Sequence, residues 1–248
     1  MYNFGSSGIK NTPPVVKNLI LLNVILLLID FVVKSTFGVS LTRVLGLYYI
    51  ESEYFKPFQY ITHMFMHGSL THLFFNMFAL WMFGRVLEGV WGSKRFFIYY
   101  FVTGLGAVAL HSFVHWIEIS SLKAQMTPEQ IQTVYQEGAR AFEQGKNFID
   151  PVLGKMNIIL NTPTVGASGA VFGVLLGFGM LFPNTRLMLL FPPIPIKAKY
   201  FVIGYGVLEI YLAFSQPGSN IAHFAHIGGM LFGFILIKYW NKNKKTFY

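Results

Sequence analysis

The chain reads as an all-α membrane protein built as a bundle of six transmembrane helices. Three observations lead there. Of 248 residues, 54% are hydrophobic, 17% aromatic and 12% charged, with mean hydropathy +0.51, which is far more apolar than a domain bathed in water. Apolar runs able to cross about 30 Å of hydrocarbon recur six times, near residues 15–35, 70–91, 96–116, 165–182, 199–214 and 221–240. The charges are also sorted. With a cytoplasmic N-terminus, twelve cations against Glu88 alone fall inside, among them Lys10, Lys94, Arg95, Arg186, Lys244 and Lys245, while seven cations and seven acids fall outside. That satisfies the positive-inside rule with both termini cytoplasmic and points to an integral, multi-pass protein of a bacterial inner membrane. The formal net charge of +9 is then an orientation and anionic-lipid signal that needs no nucleic-acid partner. With no cysteine, disulfide and thiol chemistry are excluded.

The elements follow in order. The run at 15–35 follows a stretch, Met1 to Pro14, with one lysine, and no small-residue cleavage site follows Leu28, so it is expected to be a retained helix. The connection from Thr36 to Gly68 is half apolar and aromatic throughout, which suits the membrane interface. After the second and third runs comes a longer connection, Ile117 to Pro163. Within it Thr127 is placed to cap a helix, Pro128 to occupy its first position, Gln130 to complete a capping box and Gly145 to stop it. Ile131, Val134, Tyr135 and Phe142 give that helix a thin apolar face. It is either a lid or a solvated spacer. The fourth and fifth runs are short, so they either thin the bilayer or sit behind the other helices. No internal repeat is visible, and the chain reads as one domain, 1–248, with an extracytoplasmic insertion at about 117–163.

Chemistry is suggested where the fourth run begins, at Gly166-Ala167-Ser168-Gly169. Gly169, Gly173 and Gly177 are spaced by four, as are Gly229 and Gly233 in the last run, with His226 three residues before Gly229. Small residues at that spacing let helices approach closely. If the two glycine faces pack together, His226 comes near Ser168 and its imidazole can take the hydroxyl proton as the oxygen attacks a carbonyl. Serine in a membrane helix is more often a packing residue that bonds the preceding turn. The stretch containing His63, His67, His72 and Asn76 adds N–H donors, of which His72 and Asn76 share a helix face and could form an oxyanion hole. A metal site is the rival use of His63 and His67, but Met64 stands where a His-Glu-x-x-His motif has its glutamate.

These residues together carry a resemblance. The series His63, His67, His72 and Asn76, then Gly166-Ala167-Ser168-Gly169, then Ala225-His226-x-x-Gly229-x-x-x-Gly233 resembles the rhomboid family of intramembrane serine proteases, over about Leu45 to Lys238. The resemblance implies a six-helix rhomboid-like core in which Ser168 is the nucleophile and His226 its general base, a dyad without an aspartate. It further implies that His72, Asn76 and the Ser168 backbone N–H form the oxyanion hole, with His67 and His223 in supporting positions. The fifth span and the loop after it would gate substrate entry. The implied function is cleavage of single-pass transmembrane proteins in contact with membrane lipid, without cofactor or metal. The alternative is a catalytically inactive rhomboid-like protein that binds membrane helices, and a membrane metalloenzyme ranks third. The chain departs from well-known bacterial members at Phe58-Gln59, where those have Trp-Arg, and its connection 117–163 is longer than the shortest family versions. Glu209, in the fifth run, has no derived role, and His223 is a candidate partner for it. The oligomeric state is not readable.

Overall fold

A computed structural model describes residues 12–188, 193–215 and 222–242. Among the described residues eight main helices follow in order: α1 (Pro14–Phe37), α2 (Leu70–Trp91), α3 (Ser93–Lys123), α4 (Pro128–Glu143), α5 (Pro151–Asn161), α6 (Ser168–Leu181), α7 (Ala198–Ser215) and α8 (His223–Lys242). An antiparallel hairpin, β1 (Arg186–Met188) with β2 (Pro195–Lys197), joins α6 to α7. Short helical turns and a 3₁₀ turn at His63–Phe65 occupy the first connection. The protein is an all-helical membrane bundle, with helices where the six apolar runs lie.

Local sequence explains the boundaries. Pro14 opens α1 at the position where its missing N–H costs nothing, and Gly38 closes it in the left-handed conformation, φ 71°. Ser69 Oγ accepts from the His72 amide at 3.1 Å to cap α2. Among the described residues, α1, α2 and α3 are long and apolar enough to cross a bilayer. α6 has 14 residues, about 21 Å at 1.5 Å each, too short to span alone. Nine of its residues are buried, in contact with α3, α7 and α8. It is the central post of the bundle, so the fourth run takes the interior position, whereas the fifth, α7, buries only Ala198, Val202 and Glu209 and lies at the periphery. α1 likewise has only 17% of its apolar window buried and is an outlying helix.

Glu88 ties α1 to this frame. Its carboxylate accepts from the first-turn amides of Val15 and Val16 at 3.0 and 2.8 Å and from Ser93 Oγ at 2.7 Å. The N-terminal amides of α1, unpaired within the helix, thus gain a buried anion on the positive end of its dipole. At the same end Arg95 stacks over Trp240 at 4.4 Å, so the α2–α3 turn and the end of α8 are together, and the cations there lie on one side of the bundle. Lys10, Lys244 and Lys245 lie outside the described residues.

The helix crossings differ in part from expectation. A Cβ on Gly229 would sit 1.9 Å from the Gly169 carbonyl oxygen, so α6 and α8 touch backbone to backbone there. Gly173, however, packs on Thr103, and Gly233 on Tyr99 and Thr103. The two glycine faces meet at one crossing, and α3, with Leu87 and Trp91 of α2 at Gly177, fills the rest. Tyr99, fully buried, donates its hydroxyl to the Gly173 carbonyl at 2.7 Å.

The connection after α3 is also more ordered than a spacer. α3 runs seven residues past the expected 116 to Lys123, the Thr127/Gln130 capping box forms, and α5 is an added helix with Asp150 as its cap. Val134, Met156, Ile159 and Leu160 close a second apolar core with Tyr49, Ile119 and Leu122. Of the expected face, Val134 is buried and Ile131 packs partly, while Tyr135 and Phe142 stay on the surface. Arg43 pairs with Glu143, and Lys123 with Glu51 at 2.8 Å; exposed pairs of this kind contribute little, and the apolar core holds the insertion on the first connection.

Candidate active site

The segment before α6 is strapped to the first connection. Leu47 and Thr164 exchange backbone hydrogen bonds of 2.9 and 2.8 Å, and the Gly166 N–H donates to the His63 carbonyl at 2.9 Å. Gly166 has φ +121°, and a Cβ there would meet the His72 ring at 2.8 Å, so only glycine serves. Gln59, fully buried, pins the first connection from within. Its amide donates to the Val44 and Tyr54 carbonyls at 3.1 and 3.0 Å and accepts from the Lys56 and Tyr48 amides at 3.1 and 3.3 Å. Nothing in the sequence pattern distinguished that residue beyond its place beside Phe58.

This framework sets Ser168 at the first position of α6, facing the second turn of α8. Ser168 Oγ lies 2.9 Å from His226 Nε2. The His226 ring lies flat on Phe172, 4.1 Å between centroids and 8° between planes. Phe172 is one helical turn from Ser168, a spacing that could have flagged it. On the far side of the ring, His226 Nδ1 is 2.9 Å from Glu209 Oε2, and His223 Nδ1 is 2.7 Å from the same oxygen. A carboxylate only accepts, so both Nδ1 atoms carry protons in the neutral rings. His226 Nε2 is then the free acceptor for the serine hydroxyl. Glu209 and His226 are 5% and 7% exposed.

His72 stands against Gly166, two residues before the serine. Asn76, one turn further along α2, is 6% exposed, and its side-chain amide nitrogen has no protein partner. The first amides of α6 likewise have no side-chain cap and no intrahelical acceptor. These donors offer somewhere for negative charge to develop.

His67 is buried with both ring nitrogens unpartnered, and its ring is edge-on to His72 at 5.0 Å. Burial, then the neighbouring His72, hold its pKa down to about 4, so it is neutral near pH 7. His63 is likewise held to about 4 by burial, with Nδ1 donating to the Gln59 carbonyl at 2.9 Å. It belongs to the strap that positions the Gly166 loop. Among the described residues, the side chains whose ligand atoms cluster within 4.8 Å are Glu209, His223 and His226, not the His63, His67 and His72 series. Two imidazoles and a carboxylate suit zinc by donor type, yet hydrogen bonds between them already account for their spacing.

A family model of the Rhomboid domain matches residues 54–242. The yeast mitochondrial Rhomboid protein 1 is 28% identical over 183 residues, 72% of this chain and 40% of that protein. The rhomboid protease GluP of Bacillus subtilis is 27% identical over 175 residues, 70% of this chain and 24% of that protein. The human mitochondrial presenilin-associated rhomboid-like protein is 26% identical over 180 residues, 71% of this chain and 36% of that protein. The matches thus cover less than half the length of each of these three relatives.

Proposed function

The chain belongs to the rhomboid family, and from that premise we propose that it is an intramembrane serine endopeptidase that cuts single-pass transmembrane proteins. The single observation that carries this reading is the 2.9 Å contact between Ser168 Oγ and His226 Nε2, placed where α6 begins and beside unpaired donors. As Ser168 Oγ attacks the scissile carbonyl carbon, its proton passes to His226 Nε2 and the carbonyl oxygen becomes an oxyanion. Asn76, His72 and the α6 amides are positioned to donate to it. Collapse breaks the C–N bond, and His226 returns the proton to the leaving amine. A water, deprotonated by the same nitrogen, then hydrolyses the acyl-serine and restores the hydroxyl.

Substrate membership among membrane proteins follows from the medium: a site between helices of a bundle is approached from lipid. The six-span topology with both termini on the cation-rich side is part of the same reading. Two of the three relatives above are mitochondrial and one bacterial, which supports an integral, multi-pass membrane protein and counts against a bacterial inner membrane as its compartment.

The test uses purified protein in detergent, a fluorophosphonate probe and a panel of transmembrane substrates. Ser168 should label covalently, and Ser168→Ala and His226→Ala should each abolish labelling and cleavage. Cleavage that survives Ser168→Ala and disappears with a chelator would overturn the reading in favour of a metalloenzyme. Folded wild-type protein that neither labels nor cuts would favour a helix-binding relative without activity.

A further inference from the structure

We propose that Glu209 is a positioning residue for His226, which extends the Ser168–His226 pair into a Ser–His–Glu relay whose acid is supplied by α7. This inference rests on the protease reading above and deepens it.

The argument begins with cost. A carboxylate deep in an apolar bundle is expensive unless paired and hydrogen-bonded. Glu209 Oε2 accepts from two imidazoles, at 2.7 Å from His223 and 2.9 Å from His226. The His226 bond uses Nδ1, the nitrogen opposite the one that faces Ser168. It therefore does two things that the dyad alone leaves undone. It fixes the proton on Nδ1, so that Nε2 presents a lone pair to the hydroxyl, and it places a negative charge beside the ring that becomes cationic when it takes the serine proton. His223 donates to the same oxygen and so helps to keep it facing His226. Phe172, flat against the His226 ring, restricts the remaining rotation. The three helices α6, α7 and α8 each contribute one member, so a shift of α7 that moved Glu209 would detune the base without touching the serine.

Other titratable groups around His226 are His223 on its own helix, His72 on α2 and His111 on α3. All are imidazoles, and Glu209 is the one carboxylate within hydrogen-bond reach of the ring among the described residues. A pH effect of its removal therefore has a definite sign. Without the anion the imidazolium of His226 is less favoured, so the base remains deprotonated to lower pH.

The test compares Glu209→Gln and Glu209→Asp with wild type in purified, detergent-solubilised enzyme. Glu209→Gln keeps shape and removes charge; kcat should fall about a hundredfold or more, with KM within about threefold, as expected where a tautomer-fixing carboxylate is neutralised. The acid limb of its pH–rate profile should move to lower pH, and Glu209→Asp should recover part of the loss. A structural role alone would lower stability and leave the acid limb in place. Histidine ¹⁵N NMR of wild type should show the His226 proton on Nδ1, and Glu209→Gln should shift the tautomer balance. Unchanged kcat and pH profile in a folded Glu209→Gln enzyme would overturn the proposal, as would a wild-type His226 protonated on Nε2. The NMR reading needs no turnover, so it separates failure of this inference from failure of the protease reading, which shows as absent labelling of Ser168. It also decides the matter if the Glu209 variants do not fold.

Discussion

Glu88 and Glu209 are both buried carboxylates in an apolar bundle, 2% and 5% exposed, and they differ in what they accept from. Glu88 is held by two backbone amides and a serine hydroxyl at the cation-rich end. Those donors keep their protons at any working pH, so the interaction is static and ties α1 to α2. Glu209 is held by two imidazoles, side chains that can pass a proton from one ring nitrogen while the other is held. The same residue type, at similar burial, serves the frame in one place and the proposed chemistry in the other. The partner's chemistry sets the role, and burial alone does not.

The contrast can be broken most forcefully at the α6–α8 crossing. Gly229→Leu places a side chain where even a Cβ would be 1.9 Å from the Gly169 carbonyl oxygen, and backbone cannot yield as a flexible side chain can. Helices α6 and α8 must separate, which carries Ser168 away from His226. A misplacement of about 1 Å can cost on the order of a hundredfold, and this shift is larger, so cleavage should fall below detection. The Glu88 end should be intact. Gly89→Ala, where a Cβ meets nothing within 4 Å, is the matched control and should cut normally. Wild-type cleavage by Gly229→Leu would remove the backbone contact from the account.

Asn76→Ala sharpens the contrast by separating activity from stability. The Asn76 amide nitrogen has no protein partner to lose, so melting should change little. If it donates to the oxyanion, kcat should fall about a hundred- to a thousandfold, the equivalent of roughly 2.7–4 kcal/mol. A kcat unchanged from wild type would take Asn76 out of the oxyanion hole.

How much of this was legible beforehand depends on whether a feature is one-dimensional. The six apolar runs were, because hydrophobic length is a property of consecutive residues, and the helices match them closely except where α3 overshoots. The residues proposed for the site, Ser168, His226, His72 and Asn76, came from a motif. The link from Glu209 to His226 was not, since it joins residues 17 apart on two helices whose mutual rotation is set by packing. The glycine face was read too simply for a related reason. Residues spaced by four advance about 40° per step around a helix of 3.6 residues per turn, so the stripe from Gly169 to Gly177 winds away from α8. Gly169 meets Gly229, and Gly173 already faces Thr103 of α3. Gln59 stood out only as part of the Phe58-Gln59 departure, because an amide that bonds four backbone groups is recognised in that role only once those groups converge.

The smallest expected effect is at Glu88, and there the distinction between the two carboxylates is most exposed to test. Glu88→Gln keeps an acceptor for one α1 amide but turns an NH₂ toward the other donors and removes the anion from the helix N-terminus. Hydrogen bonds to a charged group contribute about 1.5–3 kcal/mol each, and leaving a buried donor unpaired costs a similar amount. Stability should drop by about 1–3 kcal/mol, read as a lower melting temperature in detergent, with the loss centred on α1. The backbone amides of Val15 and Val16 have no route to Ser168, so kcat per folded molecule and the pH–rate profile should match wild type. Thermal denaturation and cleavage measured on the same preparation decide it. A Glu88→Gln enzyme that keeps its stability but loses kcat or shifts its acid limb, as expected for Glu209→Gln, would mean that buried charge anywhere in the bundle tunes the base, and the assignment of roles by partner chemistry would fail.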